Sequence, residues 1–238
     1  SSRILSSFSL SGDIAANINS SNISSNKNIT INGPEGTEVF IQSDGESARS
    51  IASRINNMTK EQIQTGVVAS ARTSLKLGNL SDSGTISFKI NTDKTLPNGI
   101  GTGSIVISDT DNLTPLKEAV NAISKVTNVF AYSDNNSNVI LRNHDGANIE
   151  LSSFSHSVGG GKITASIERR DGISDFSMNS EDVSYGATSG YAGGSLRFDV
   201  TGNLTFDKIT LSQDQNISNN VGQVSLNGNK VYIGNGSS

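Results

Sequence analysis

The sequence contains no cysteine and no tryptophan, and aromatic residues make up 5% of its 238 residues. The absence of cysteine excludes disulfide bonds and thiolate-bound metal sites. With 33% hydrophobic residues, the core must be thin and built from isoleucine, valine, leucine and phenylalanine. Serine and asparagine are abundant, and their side chains favour turns and caps over regular backbone pairing. We therefore expect many short strands joined by polar turns.

Strong positive charge and long apolar runs are also missing. The formal net charge is −4, and basic residues are scattered. Because nucleic acid and anionic lipid attract basic surfaces, we predict no nucleic-acid partner and no membrane partner. No stretch approaches the roughly 18 apolar residues of a membrane helix, and the first eleven residues lack the apolar run of a signal peptide. The Ser-rich start and Gly-rich end lead us to expect a segment of a longer protein.

The sequence does contain an internal repeat with a period of about 60 residues. In the first copy, residues 29–31 and 38–41 alternate as strands, and residues 65–69 and 73–77 form a second pair. Between the two pairs, one apolar helix face is formed by Ala48, Ile51, Ala52 and Ile55. The order is strand, strand, helix, strand, strand.

The second copy has the same order. Residues 85–90 and 104–107 are predicted as strands, and residues 127–131 and 138–142 as two more. The helix between them has an apolar stripe of Leu116, Ala119, Val120, Ile123 and Val126. A helix with one apolar face can bury it only against a neighbouring sheet. Each copy is therefore predicted to be a helix lying across an antiparallel sheet.

Signals for helix starts accompany both stripes. Ser43 and Glu46 are spaced as a capping box before the first helix. Thr114 is predicted as the N-cap of the second helix, and Pro115 suits its first helical position.

The fold class that follows is α+β, with two tandem ββαββ units and a third, all-β part. We predict an N-terminal β segment at 1–22, the first unit at 23–82, the second at 83–158 and an all-β outer domain at 159–238. No helical period of useful length appears after residue 160, and Asn227-Gly228 is a strong hairpin turn. Residues 159–161 are a glycine run that indicates a joint or tight turn.

The repeat resembles the insertion motif in the central region of many bacterial flagellins and some hook-associated proteins. The resembling ranges in the first copy are 29–33, 48–56 and 65–69, and those in the second are 116–123, 127–131, 139–142 and 145–151. The tandem pair is most similar to flagellins of the Campylobacter and Helicobacter type. The second copy departs from the motif at Asn128, where glycine is usual, and its first strand lacks the Ile-Asn-Gly ending.

The resemblance implies the variable outer region of a flagellin: extracellular, antigenic, exposed on the filament, and in contact with neighbouring subunits in motility. The long terminal helices by which flagellins polymerise have no counterpart here. Export in the family also implies O-linked glycans on exposed Ser or Thr, for which the Ser-rich loops predicted at residues 152–157 and 184–195 are candidates. Residues 214–218 match a bacterial N-glycosylation pattern, but export through the flagellar channel would bypass the periplasmic enzyme.

A search for catalytic and metal chemistry leads us to predict no enzyme, no cofactor and no metal site. A zinc peptidase needs two histidines one helical turn apart, whereas His144 and His156 are twelve residues apart. Asp109 begins an acidic turn that lacks the glycine and glutamate of a calcium-binding EF-hand loop. Residues 99–103 look like a phosphate loop but precede a strand, so no helix N-terminus is available for phosphate.

Two other functions remain open. One is the outer domain of a flagellar hook-associated or cap protein, which uses the same motif. The other is a carbohydrate-binding adhesive module formed by the β-rich residues 162–238. Sugar sites usually expose aromatic rings, and the candidates in that range are Tyr185, Tyr191 and Tyr232.

Overall fold

The structure is a computed structural model that describes residues 4–10, 14–15, 28–32, 37–41, 43, 46–57, 67–93, 95–169, 172–179, 190–192, 195–202, 209–213 and 231–233. Side chains are described within residues 38–40, 43, 46–57, 68–93 and 95–166. The predicted asparagine-glycine hairpin turn, the N-glycosylation pattern and Tyr185 lie outside the described residues. So do the side chains of Tyr191 and Tyr232.

Most of the described chain is strand. The helices are α1 (Ala48–Asn56), α2 (Thr114–Ala122) and α3 (Ser124–Thr127). The strands are β1 (Ile4–Leu10), β2 (Ile14–Ala15), β3 (Asn28–Asn32), β4 (Thr37–Ile41), β5 (Val67–Gly78), β6 (Gly84–Thr92), β7 (Ile100–Gly101), β8 (Ile105–Ile107), β9 (Phe130–Asn135), β10 (Asn138–Asn143), β11 (Ile149–His156), β12 (Lys162–Arg169), β13 (Gly172–Asn179), β14 (Gly190–Ala192), β15 (Ser195–Gly202), β16 (Ile209–Gln213) and β17 (Val231–Ile233). The predicted mixture of helix and antiparallel sheet is confirmed.

The strands form three antiparallel sheets. The largest sheet has the order β1-β15-β5-β10-β9, with β12 pairing a second part of β5 and β13 pairing β12. A second sheet has the order β2-β14-β11-β6-β7, with β8 also on β6. A four-stranded sheet has the order β17-β16-β3-β4. Each sheet combines strands that are distant in sequence, so most of the pairing is long-range.

One continuous hydrophobic core lies between the first two sheets and α2. The first sheet contributes Leu75, Leu77, Val139, Leu141, Ile163 and Ala165, and the second contributes Ile86, Phe88, Ile90, Ile105, Ile107, Ile149, Leu151 and Phe154. From α2, Leu116 and Val120 are fully buried in the same cluster. Since burial of apolar surface is the main favourable term in folding, this core holds the two sheets together.

The tandem arrangement of two ββαββ units is not confirmed. Strand β5, from the first predicted unit, pairs with β10 of the second and with β12 of the predicted all-β part. The β3–β4 hairpin of the first predicted unit pairs instead with β16 in the four-stranded sheet. Each helix nevertheless packs mainly on strands from its own copy, α1 on β5 and α2 on β8, β9 and β10.

The predicted apolar face of α1 is confirmed, because the four predicted side chains are the buried ones of that helix. The predicted cap is displaced by four residues. Ser47 is the N-cap, and its Oγ accepts a hydrogen bond from Ser50 N–H at 3.2 Å. Glu46 accepts the N–H of Ser43 at 3.0 Å, which is half of a capping box, and forms an ion pair with Arg54 at 2.8 Å.

Helix α2 differs from its prediction at both ends. Thr114 is the first helical residue and not the N-cap, which is Leu113. The Oδ1 atom of Asn112 accepts the Thr114 N–H at 3.2 Å, and Pro115 is the second helical residue and not, as predicted, the first, although it still lies in the first turn. Val126 was predicted on the buried stripe but is 56% exposed. The stripe fails there because α2 ends four residues earlier and α3 does not continue its register.

The structure shows that one strand prediction and two loop predictions are wrong. The strands predicted at 65–69 and 73–77 are one strand, β5, whose two halves pair with β15 and β10. Residues 152–156, predicted as a Ser-rich loop, belong to β11. The predicted loop around residue 190 contains β14, which pairs with β11. Each of these strands depends on a partner strand that is distant in sequence, which the neighbouring residues do not reveal.

The shared core gives a direct test. Leu141 is 0% exposed, so Leu141→Ala is expected to lower the free energy of unfolding by about 2–5 kcal/mol through lost contacts and a cavity. Val106, which is 63% exposed on β8, provides the control. Val106→Ala is expected to change the free energy of unfolding by less than about 0.5 kcal/mol. Equal effects of the two substitutions in urea denaturation would contradict the assigned core.

Candidate interaction surface

The two histidines lie in different parts of the fold, and both make contacts within it. His156 is buried on β11, and its Nδ1 accepts the Val158 N–H at 2.9 Å. Its Nε2 therefore carries the proton of the neutral ring and donates to the carbonyl of Asp82 at 3.0 Å. His144 is exposed in a turn, where its ring contacts aromatic side chains. Within the described part of the chain, no group of three or more His, Asp or Glu residues has the arrangement of a metal site.

The acidic turn that was considered for calcium is used locally. Asp109 accepts hydrogen bonds from Asp111 N–H through Oδ1 at 2.9 Å and from Asn112 N–H through its carbonyl at 3.0 Å. These contacts are those of an Asx turn. Residues 99–103 contain β7, which pairs with β6 as a hairpin and does not lead into a helix. The described residues include no helix long and apolar enough to cross a membrane.

The most distinctive contact is a pair of matching helix-to-strand clamps. At the end of α1, Asn56 Nδ2 donates to Ala69 O at 2.6 Å, and Ala69 N–H donates to Asn56 Oδ1 at 2.8 Å. At the end of α2, Asn121 Nδ2 donates to Ala131 O at 3.0 Å, and Ala131 N–H donates to Asn121 Oδ1 at 2.8 Å. Each carboxamide thus satisfies both backbone groups of a buried alanine.

The positions around the clamps also correspond. Buried apolar residues lie one, five and eight positions before each asparagine, and these are Ile55, Ile51 and Ala48 in one copy and Val120, Leu116 and Leu113 in the other. Three residues before each clamped alanine are Gly66 and Asn128. Asn128 has φ of +56°, a left-handed conformation that asparagine tolerates better than most residues. The replacement of glycine at that position therefore has a conformational explanation.

Sequence reasoning missed both clamp asparagines. The predictions for the two helix faces concerned only their apolar stripes. The available signal was the recurrence of asparagine immediately after the last buried position of each stripe. Only the structure shows that both carboxamides bind a strand.

Strands β9 and β10 carry an aromatic and basic cluster on the face turned away from the core. We call it the open-face cluster and define it as Phe130, Tyr132, Arg142 and His144. The Arg142 guanidinium carbon lies 5.2 Å from the ring centroid of Tyr132, and Tyr132 Oη lies 3.1 Å from His144 Nε2. The rings of Phe130 and His144 are 5.6 Å apart. Tyr132 is 39% exposed, so the cluster presents an aromatic ring beside a positive charge.

The cluster continues onto β5 as a basic surface. Arg142 pairs with Ser74, and Ile140 pairs with Lys76, so these residues share the open face. Arg142 Nε donates to Ser74 Oγ at 3.3 Å, which fixes its guanidinium over Tyr132. Among the described residues the only ion pair is that of Arg54 with Glu46, so the charges of Arg142 and Lys76 are not neutralised by a described salt bridge.

A second polar site joins α1 to the second sheet. Asp93 accepts the Asn148 N–H at 2.7 Å and the Ser47 Oγ–H at 3.0 Å, and its own N–H donates to Asn148 O at 3.0 Å. Burial raises the pKa of the Asp93 carboxyl above its ordinary value, against the opposing effects of these hydrogen bonds and the charge of Arg49. A carboxylate held in this way joins the helix N-terminus, β6 and the start of β11.

An open groove of about 530 Å³ lies beside β6 and β11. Its lining is Lys89, Asn91, Leu96, Pro97, Asn98, Glu150, Ser152 and Ser153. Asn91 Nδ2 donates to Leu96 O at 2.6 Å, and Asn91 Oδ1 accepts the Leu96 N–H at 3.0 Å. The lining contains no histidine to act as a base for its serines.

The pKa of Asp93 gives a pH-dependent prediction. Well below its ordinary pKa of 3.8, the Asp93 carboxyl is protonated in both the folded and the unfolded chain. As the pH rises, the carboxyl loses its proton first in the unfolded chain, because burial raises its pKa in the folded chain. Ionisation of Asp93 therefore lowers the stability of the folded chain at neutral pH. Asp93→Asn is expected to raise the urea midpoint relative to the unsubstituted chain at about pH 7, with a smaller gain near pH 4. If the increase in urea midpoint caused by Asp93→Asn became larger on acidification, the raised pKa of Asp93 would be contradicted.

Comparison of the chain with models of protein families and with curated protein sequences gave no match. Its function is therefore inferred from its own residues and contacts.

Proposed function

We propose that this chain is the surface-exposed outer region of a bacterial flagellin, a structural module that decorates the filament and contacts neighbouring subunits. The observation that carries the proposal is the duplicated clamp, in which Asn56 and Asn121 bind Ala69 and Ala131 with the same two hydrogen bonds. The two clamped segments are the helix and following strand of the tandem flagellin-like motif. The contacts support a true duplication of that helix–strand element, within a fold whose strands then pair across the two copies.

The motif residues of the second copy have structural tasks that explain their types. Asn143 Oδ1 accepts the N–H groups of Asp145 at 3.1 Å and Ala147 at 2.9 Å, which closes the turn after β10. Gly146 has φ of +82° and packs closely on Ala71 of β5. A side chain at position 146 would meet that strand. These motif residues therefore have roles in folding, which supports a structural function.

The surface suits a module that projects from a filament into water. The chain has a net charge of −4 and many serine and asparagine residues, which oppose association between filaments. Ser153, Ser155 and Ser157 are exposed near the end of β11. Exposed serines remain our proposed positions for O-linked glycans, although β11 makes this a strand site and not the loop expected from sequence. The proposed location is extracellular, on the flagellar filament.

Deletion of this segment from the full flagellin tests the proposal. With a short flexible linker in its place, the protein is expected to assemble filaments of smaller outer diameter, because the family's tube depends on long terminal helices, whereas the described helices of this segment have at most 9 residues. Electron microscopy of the filaments gives the readout. A full-length flagellin that carries Leu141→Ala is the control, because it keeps the segment but destabilises its fold. It separates the effect of losing the segment from the effect of misfolding it. Complete loss of filaments on deletion would contradict a decorating role.

The open-face cluster favours a second candidate function, a carbohydrate-binding adhesive surface. The exposed aromatics considered from sequence lay in residues 162–238, but the described aromatic ring with a basic neighbour is Tyr132, beside Arg142, on β9 and β10. An aromatic face can stack on a sugar ring, and a guanidinium binds carboxylate or sulfate groups in bidentate fashion. An acidic oligosaccharide is the ligand class that this surface would take.

Binding of the chain to an array of neutral and acidic glycans tests this candidate. Hits among acidic glycans are expected to weaken by about tenfold in Tyr132→Ala, equivalent to about 1.4 kcal/mol. Val106→Ala, on the other sheet, is the matched control and is expected to bind normally. The adhesive function is excluded if the array gives no hits, or if both variants bind as tightly as the unsubstituted chain.

A further inference from the structure

The basic residues of the open face follow the direction of β5. Arg72, Ser74 and Lys76 occupy alternate positions of this strand. Thr73 and Leu75, which lie between them, are buried, so the three residues point to the open face and away from the core. With a rise of about 3.3 Å per residue, Arg72 and Lys76 lie about 13 Å apart along the strand.

Arg142 lies between these two cations, on the neighbouring strand β10. It pairs with Ser74 in the ladder, and its Nε donates to Ser74 Oγ at 3.3 Å. We call Arg72, Arg142 and Lys76 the basic row. Since adjacent strands are about 4.8 Å apart, the row presents one positive charge at about every second residue of β5.

The charges of the basic row are not neutralised by an ion pair within the described part of the chain. The ion pair described there joins Arg54 to Glu46. Residues 68–77 and 138–142, which carry the row, contain no acidic residue. Asp134 lies near the end of β9 and Asp145 in the turn after β10, outside the row. On a chain with a net charge of −4, this local excess of positive charge favours an anionic ligand.

We propose that the basic row binds a linear polysaccharide with an acidic group on successive sugars, aligned along β5. The inference rests on the adhesive candidate function and narrows its ligand from any acidic oligosaccharide to a repeating one. One carboxylate or sulfate is satisfied by one guanidinium fork, so a sugar with a single acid leaves two cations of the row unused. A repeating acid engages all three, and the exposed Tyr132 ring beside Arg142 offers a face to a sugar.

The experiment measures binding of the purified chain to heparin fragments of increasing length, from a disaccharide to an octasaccharide, by isothermal titration calorimetry at several salt concentrations. Affinity is expected to rise with length until the fragment spans the basic row, and then to level off. Each cation that contacts a polyanion releases about one counterion. A plot of log affinity against log salt concentration for the octasaccharide should therefore have a slope of about −3.

Substitutions within the row provide a second arm of the experiment. Arg72→Gln and Lys76→Gln each remove one charge, and each is expected to reduce the magnitude of the salt slope by about one. Lys89→Gln is the matched control. The core residues Phe88 and Ile90 flank Lys89 on β6, so it lies on the outer face of the second sheet, across the core from the row. Its variant should keep the slope of the unsubstituted chain.

The proposal is overturned if the disaccharide and the octasaccharide bind equally, or if both row variants keep the salt slope of Lys89→Gln. The length series needs no substitution, so it decides the question even where circular dichroism shows a variant unfolded. Equal affinity for single-stranded DNA of matched charge also overturns it, because charge alone would then be recognised. Binding of single acidic sugars without length dependence rejects the repeating ligand but retains the adhesive candidate, whereas failure of every acidic glycan to bind rejects both.

Discussion

The apolar contact between the two larger sheets is the interaction on which the rest of the fold depends. Leu75 and Leu77 of β5 lie in the same buried cluster as Phe88 and Ile90 of β6. A chain with 33% hydrophobic residues has little apolar surface to divide between separate lobes. Because small domains bury a smaller share of their surface, one shared core stabilises this chain better than two independent ones. That constraint explains why strands from different copies of the repeat pair with one another.

The helices are fixed to this framework by two different kinds of force. Apolar side chains such as Ile55 and Val120 hold each helix against its strand but do not determine its position along that strand. The carboxamides of Asn56 and Asn121 are directional and bind one residue each, so they set the position. The same combination occurs twice, which links the repeat in the sequence to a repeated contact in space. Asp93 also holds the start of α1 through Ser47, whereas His156 joins the end of β11 to the carbonyl of Asp82.

The sequence predicted the local elements well where a periodic pattern was long. The buried face of α1 and the strands β6 and β10 follow from their apolar spacing. The helix ends were less accurate, since Ser47 and Leu113 and not Ser43 and Thr114 occupy the cap positions. The open-face cluster was missed, because Tyr132 and Arg142 are ten residues apart and meet only through the β9–β10 hairpin. Asn121 was missed because its partner is a backbone group.

The amino-acid sequence by itself determined the elements with a long periodic pattern, such as the buried face of α1 and the strands β6 and β10, and it excluded disulfides and thiolate metal sites. Those properties depend on residue type and on spacing within a few turns of the chain. Only the tertiary structure decided which strands pair, that Leu75 and Leu77 of the first predicted unit join the core of the second, and which residues meet on the open face. Each of these depends on contacts between residues far apart in sequence, and a periodic pattern states that a face is buried without naming its partner.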